Sequence, residues 1–90
     1  METSIGQVTR FSNQNHVAVL SLTHRLELSD TIHFLGKKTD FYQLVLSLVV
    51  NSKKVLSTGP GAEVAIRVSE PVHKGDRVLL VPKETSKPDE

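Results

Sequence analysis

Two similar turn-to-strand signals, far apart in the chain, constrain the fold more than any other feature of the sequence. Residues 29–32 (SDTI) match residues 75–78 (GDRV) in their order: a small residue, an aspartate, and a β-branched residue two places after the aspartate. A small residue permits a tight turn, and the aspartate carboxylate can accept hydrogen bonds from nearby amides and so fix that turn. Each signal therefore redirects the chain just before a strand begins, as a compact barrel requires.

Alternation of apolar and polar residues dominates the rest of the chain, with an enrichment in β-branched residues. No window shows the apolar stripe of an amphipathic helix, so the pattern predicts an all-β fold. We expect strands over residues 4–11, 16–22, 30–35, 39–50, 62–68 and 77–81, with a short extended piece around 54–56. The spacing of the turns favours a small closed β-barrel of about six or seven mostly antiparallel strands, because closure removes exposed strand edges.

The length of 90 residues sets the domain organisation. We expect one barrel domain over residues 1–82 and a flexible, charged tail over residues 83–90. Within the domain, small and acidic residues are expected to form turns rather than to carry chemistry. These structural turn residues are Gly6, Ser29, Asp30, Gly36, Asp40, Gly61, Gly75 and Asp76.

The composition excludes several classes of function. The chain has no cysteine, which rules out disulfides, thiolate chemistry and cysteine-ligated zinc. Its formal net charge of +1 is far below the excess of a dedicated electrostatic nucleic-acid binder. No stretch approaches the roughly 20 apolar residues of a membrane span, and residues 1–9 do not resemble a signal peptide. We therefore expect a cytoplasmic protein that does not bind membranes.

Candidate catalytic and metal-binding residues are equally sparse. The four histidines lack the spacing of chelating pairs, so we expect no metal site and no cofactor; they are His16, His24, His33 and His73. No serine or threonine is paired in sequence with a histidine base, so we assign no catalytic residue and expect no enzyme activity. His33 is expected to lie on the exposed face of its strand.

The long apolar run of residues 39–50 is a candidate contact surface, because both faces of the strand carry apolar side chains. A β-bulge near Ser47 would direct Phe41 and Val45, and then Leu48 and Val50, towards the core. That parity leaves outside three candidate interface residues: Tyr42, Leu44 and Leu46. They predict docking of a second copy or another protein; in the alternative, the loop of residues 51–61 folds over them.

Two pairs of lysines flank the same run and are candidate RNA contacts: Lys37, Lys38, Lys53 and Lys54. A strand of about 12 residues spans about 40 Å, so the two pairs are expected at opposite ends of the barrel. Four further basic residues are expected to be scattered over the surface, away from both lysine pairs: Arg10, Arg25, Lys74 and Arg77. Lysines in turns are also common as purely solvated residues, and this alternative stays open.

Several segments, taken in order, resemble the β-barrel second domain of translational GTPases such as elongation factor Tu. They are residues 5–8 (IGQV), 17–19 (VAV), 28–32 (LSDTI), 39–41 (TDF) with Val45 and residues 47–48 (SL), 60–66 (PGAEVAI) and 74–78 (KGDRV). The resemblance is closer to the stand-alone form of this barrel, which also occurs fused to the C-terminus of collagenase-like peptidases. Ser29 stands where that family usually has glycine, so its turn is expected to avoid conformations that only glycine adopts easily.

The resemblance implies a non-catalytic adaptor that binds RNA or protein in a translation-related context. The chain has no glycine-rich loop ending in Lys-Ser or Lys-Thr, so it is not expected to hydrolyse nucleotides. One alternative is a protein-interaction or self-associating module that uses Tyr42, Leu44 and Leu46 and has no role with nucleic acids. The other is an accessory domain of a peptidase that positions substrate.

Overall fold

A computed structural model describes residues 1–82, in which all regular structure is β-strand. Its strands are β1 (Thr3–Ser12), β2 (Val17–Leu22), β3 (Leu26–Glu27), β4 (Thr31–Leu35), β5 (Asp40–Leu44), β6 (Val49–Val50), β7 (Lys53–Lys54), β8 (Ser57–Thr58), β9 (Glu63–Arg67) and β10 (Arg77–Leu80). Eight of them form one antiparallel sheet in the order β5-β4-β10-β1-β2-β9-β6-β7, and β3 pairs with β8. The all-β prediction is confirmed. The predicted tail, residues 83–90, lies outside the described residues.

The predicted closed barrel is not detected. β5 and β7 lie at the two ends of the strand order, and no ladder joins them within residues 1–82. A side chain of β5 makes a different connection across the molecule: the Gln43 amide donates to the Arg67 carbonyl, and its oxygen accepts from the Ser69 amide, both at 2.8 Å. The end of β9 is therefore tied to β5 by a side chain rather than by strand pairing.

The predicted strand over residues 39–50 is two strands, β5 and β6, which pair with different neighbours. Between them, Val45 exchanges backbone hydrogen bonds of 2.8 Å with Ser29 and Asp30. The chain thus changes partner where the sequence predicted a bulge near Ser47. The predicted parity is nevertheless correct, because Phe41, Val45 and Leu48 are buried.

The core is aliphatic, with one aromatic pair. Phe34 and Phe41 lie 5.2 Å apart between ring centroids, on the paired strands β4 and β5. The register of β1 shifts twice against its partners, between Ser4 and Gly6 and between Val8 and Arg10. Gly6 is therefore not in a turn, as the sequence predicted, but inside β1, where a Cβ atom would overlap the Ser21 carbonyl of β2.

Left-handed backbone conformations occur at non-glycine residues. Ser29 has a φ of 75°, which corrects the expectation that its turn avoids this region. Asn51 and Ser52, at φ 51° and 66°, form the two-residue loop of the β6–β7 hairpin. Positive φ at both loop residues is the geometry of a type I′ turn, whose twist matches that of the strands. The loop predicted over residues 51–61 thus contains β7 and β8.

No helix in the described part of the chain is long or apolar enough to span a lipid bilayer.

Candidate functional site

A cleft lined by basic residues lies where two turns meet at one end of the sheet. β4 and β10 are antiparallel, and Leu35, the last residue of β4, pairs with Arg77, the first of β10. The turn that leaves β4 and the turn that enters β10 therefore lie side by side. Between them is an open cavity of about 610 Å³, which we call the basic cleft, lined by Leu35, Gly36, Lys37, Lys38, His73, Lys74, Gly75, Asp76 and Arg77.

Buried Asp76 fixes the geometry of both turns. Its Oδ2 accepts hydrogen bonds from the His73 amide at 2.8 Å and from the Thr39 hydroxyl at 2.5 Å. The side chain packs so closely on the first turn that a Cβ atom at Gly36 would overlap Asp76 Oδ1. Gly75, at φ 92°, supplies the left-handed residue of the second turn. The geometry of these two turns thus depends on Asp76, Gly36 and Gly75.

Thr39, His73 and Asp76 contain the residue types of a catalytic triad but not its arrangement. The Thr39 hydroxyl lies 3.1 Å from His73 Nδ1, and Asp76 Oδ2 lies 3.7 Å from the same nitrogen. In a triad the carboxylate and the nucleophile contact opposite imidazole nitrogens. Here the buried threonine donates its proton to the carboxylate directly. This arrangement stabilises a turn and does not activate a nucleophile.

The structure brings the first predicted lysine pair together with two basic residues that the sequence analysis placed elsewhere. Lys74 and Arg77 line the basic cleft with Lys37 and Lys38. The matching signals before β4 and β10 do not indicate this grouping, because the starts of antiparallel neighbours lie at opposite ends; the turn that meets the one before β10 is the turn after β4. Lys53 and Lys54 form β7, at the far end of the strand order, and are exposed. RNA contact by either pair stays a prediction.

The three predicted interface residues are exposed. Tyr42 and Leu44 on β5 are 55% and 52% exposed, and Leu46 after it is 79% exposed; we call these three residues the apolar face. Residues 51–61 do not fold over the apolar face as the alternative required, since its three residues are exposed and Leu56 of that segment is itself 78% exposed. Leu46 and Leu56 line one small cavity of about 240 Å³.

His33 is buried, which corrects its predicted exposure. It lies on the outer side of β4, but its ring stacks on Tyr42 at 4.1 Å between centroids. Its Nδ1 and Nε2 lie 2.6 Å from carboxylate oxygens of Glu2 and Asp40, respectively, and the Tyr42 hydroxyl donates to Glu2 at 2.8 Å. Asp40, which the sequence predicted as a turn residue, therefore binds a histidine side chain. Sequence reasoning missed this cluster because Glu2 is 31 residues from His33.

The two carboxylates stabilise the charged form of His33. Burial alone would lower the pKa of its imidazole, but the hydrogen bonds that the ring donates to Glu2 and Asp40, together with their negative charges, outweigh burial and raise that pKa. The same contacts lower the pKa of Glu2, chiefly through the hydrogen bond to His33, and the bond to Glu2 raises the pKa of Tyr42. Only the imidazolium form can donate from both ring nitrogens, so it is this form of His33 that links the residue before β1 to β4 and β5.

Residues 1–82 contain no cluster of three or more histidine, aspartate or glutamate side chains arranged to hold a metal ion.

Comparisons with known proteins find similarity in both sequence and fold. No family model matches it. It is 38% identical over 82 residues to a protease of Methanocaldococcus jannaschii that is described as uncharacterised; the match covers 90% of this chain but spans only a fifth (20%) of the protease. Neither this match nor the structural ones name a translation factor, so the link to translational GTPases stays a prediction.

The structural matches are to the C-terminal domain of a candidate U32 peptidase from Geobacillus thermoleovorans. The crystal structure of that domain superposes with a TM-score of 0.83 over 90% of this chain and 93% of the other, at 15% identity. Its selenomethionine variant gives a TM-score of 0.79 over 83% and 95%, also at 15% identity. The chain therefore has the fold of the C-terminal domain of that candidate U32 peptidase.

Proposed function

We propose that this chain is a non-catalytic accessory domain that works with the catalytic part of a U32-type peptidase and positions its substrate. The observation that carries the proposal is the match to the M. jannaschii protease, which takes in 90% of this chain and only 20% of that protein. A match of this shape is typical of one domain of a larger protein. The fold shared with a C-terminal peptidase domain supports the same interpretation.

The constellation of Thr39, His73 and Asp76 supports a non-catalytic role, because its threonine is buried and donates to the carboxylate. Positioning a substrate requires binding surfaces instead, and two are present. The basic cleft carries positively charged side chains that can bind an anionic ligand, and the apolar face carries exposed apolar side chains that can contact another protein.

The apolar face is the surface that we assign to the catalytic part. Three neighbouring exposed apolar side chains make a patch on the order of a few hundred Å², the size that marks contact sites. Covering such a patch contributes several kcal/mol at about 25 cal/mol per Å² before the cost of association is subtracted. The remaining four fifths of the related protease, outside the matched region, are large enough to contain a domain that covers this patch.

The proposal is tested on the M. jannaschii protease with fluorescein-labelled casein and gelatin as substrates. Three forms are compared: the full protein, a form without the matched region, and a form with this chain in its place. We expect the deletion to raise KM for the labelled proteins more than it lowers kcat, and this chain to restore KM. The same replacement carrying Leu44→Asp is expected not to restore it.

Three outcomes contradict the proposal. Full activity of the deletion form would remove any role in positioning substrate. Hydrolysis of casein by this chain alone would make it catalytic. A dimer of this chain in analytical ultracentrifugation that Leu44→Asp dissociates would assign the apolar face to a second copy. Circular dichroism of the Leu44→Asp chain is the folding control, since Leu44 is half exposed and its loss costs little core packing.

A further inference from the structure

The basic cleft has the charge and the size of a site for a short acidic peptide. We propose that it binds acidic stretches of a polypeptide substrate, an inference that rests on the proposed function and names the substrate class. Its four cationic side chains are Lys37, Lys38, Lys74 and Arg77. All four are exposed, so their charges are available to a ligand.

The one carboxylate among the lining residues, Asp76, offsets one of the four positive charges and leaves the cleft cationic. Asp76 is buried, and its Oδ2 is occupied by the Thr39 hydroxyl and the His73 amide. Through these bonds Asp76 connects the two turns, and the lysines of both turns line the same cavity. Cations that converge in a concave site raise the local concentration of an anionic ligand more than the same charges spread over a surface.

The dimensions suit a few amino-acid residues. A volume of about 610 Å³ is within the range of specific ligand pockets. The cleft is open to solvent and lies between the turn after β4 and the turn before β10, so a short peptide can reach the side chains that line it. Lys38 lies two residues before β5, so a peptide held in the cleft is next to the strand that carries Tyr42 and Leu44 of the apolar face.

The lining residues favour an acidic peptide over RNA. Single-stranded RNA is held by aromatic platforms on which bases stack, together with a basic groove that follows the backbone. The residues that line this cleft include no phenylalanine, tyrosine or tryptophan, and the second exposed lysine pair, Lys53 and Lys54, lies at the other end of the strand order. One compact group of cations suits a short run of carboxylates, whereas a nucleic acid needs a longer basic path.

Fluorescence anisotropy with the full chain provides the test. The probe is a fluorescein-labelled peptide of alternating glutamate and serine, and a lysine-serine peptide of equal length is the charge control. We expect the acidic peptide to bind at low salt and to be released at about 1 M NaCl, where the screening length is about 3 Å. The lysine peptide is expected not to bind.

Two double variants locate the site with matched charge. Replacing the cleft pair (K37S/K38S) is expected to weaken binding about tenfold, because two exposed charge contacts are lost. Replacing the pair that does not line the cleft (K53S/K54S) changes the net charge equally and is expected to leave affinity within about twofold. Both pairs are exposed, so matching circular dichroism spectra are expected and would exclude unfolding as the cause.

The remaining outcomes overturn the inference. They are no binding of the acidic peptide, equal effects of the two double variants, and tighter binding of a single-stranded RNA of equal charge through Lys37 and Lys38. Since this assay does not depend on cleavage, it separates the two proposals. A chain that restores protease activity but binds no acidic peptide leaves the accessory role intact, and a chain that binds the peptide but restores nothing contradicts that role alone.

Discussion

Removing the Asp76 carboxylate is the most direct perturbation of the turns that form the basic cleft. In the Asp76→Ala variant, the Thr39 hydroxyl and the His73 amide lose the oxygen that accepts from both. Thr39 is buried, so water does not easily take the place of that oxygen. His73 is more exposed, so its amide is the easier of the two donors for water to reach.

The magnitude follows from these two hydrogen bonds. A bond to a charged acceptor contributes about 1.5–3 kcal/mol, so with partial compensation by water the variant should lose about 3 kcal/mol of unfolding free energy. A domain of this size has about 5–13 kcal/mol in total. At about 4–8 °C for each kcal/mol, Tm should fall by about 12–24 °C.

Thermal and urea unfolding, followed by circular dichroism, measure this loss. Asp76→Asn is the matched control, because its amide oxygen can still accept from both donors and only the charge is lost; we expect a loss of about 1 kcal/mol. Equal losses of unfolding free energy in the two variants, or a loss below about 1 kcal/mol in Asp76→Ala, would show that the buried hydrogen bonds to Asp76 do not fix these turns.

Two further predictions concern local strain and protonation. Ser29→Gly and Ser52→Gly should each raise the unfolding free energy by up to about 1 kcal/mol, because both serines have positive φ, which glycine adopts without strain. Ser21→Gly, in the extended strand β2, is the control and should lower the unfolding free energy. Urea midpoints that fall in all three variants would contradict this prediction. Because the folded-state pKa of His33 is raised, its stabilising contribution is complete below the unfolded value of 6.5 and is lost as pH rises through the folded value. The pKa of Glu2 is lowered, so its contribution is present above 4.5 and is lost as pH falls. The Tm difference between the native chain and His33→Gln should therefore be largest between these two values, and a difference independent of pH would show that the imidazolium is not formed.

Much of the local structure was predictable because it depends on neighbours in sequence. The alternation of apolar and polar residues gave the correct parity along residues 41–48, even though the chain changes partner there. Asp30 accepts from the Glu27 amide at 2.9 Å, and Asp76 accepts from the His73 amide at 2.8 Å, each three residues away. Such short-range bonds are implied by a small residue followed by an aspartate.

What the sequence did not predict depends on contacts between distant segments. Ser29 adopts the left-handed region because its amide donates to the Val45 carbonyl, a tertiary bond that holds an unfavourable φ. The burial of His33 depends on Glu2, and the grouping of Lys74 with Lys37 depends on the pairing of β4 with β10. No local pattern contains this information, because it is set by register and strand order.

The two surfaces proposed for recognition are joined through β5. The turn that precedes this strand contributes Lys37 and Lys38 to the basic cleft, and the strand itself carries Tyr42 and Leu44 of the apolar face. β5 is held on one side by β4 and across the molecule by the Gln43 amide, so the turn and the strand are fixed relative to each other. If the apolar face docks on a catalytic domain, the orientation of the basic cleft is determined by the same contact. An accessory domain built in this way positions an acidic segment of substrate at a constant distance from the catalytic site.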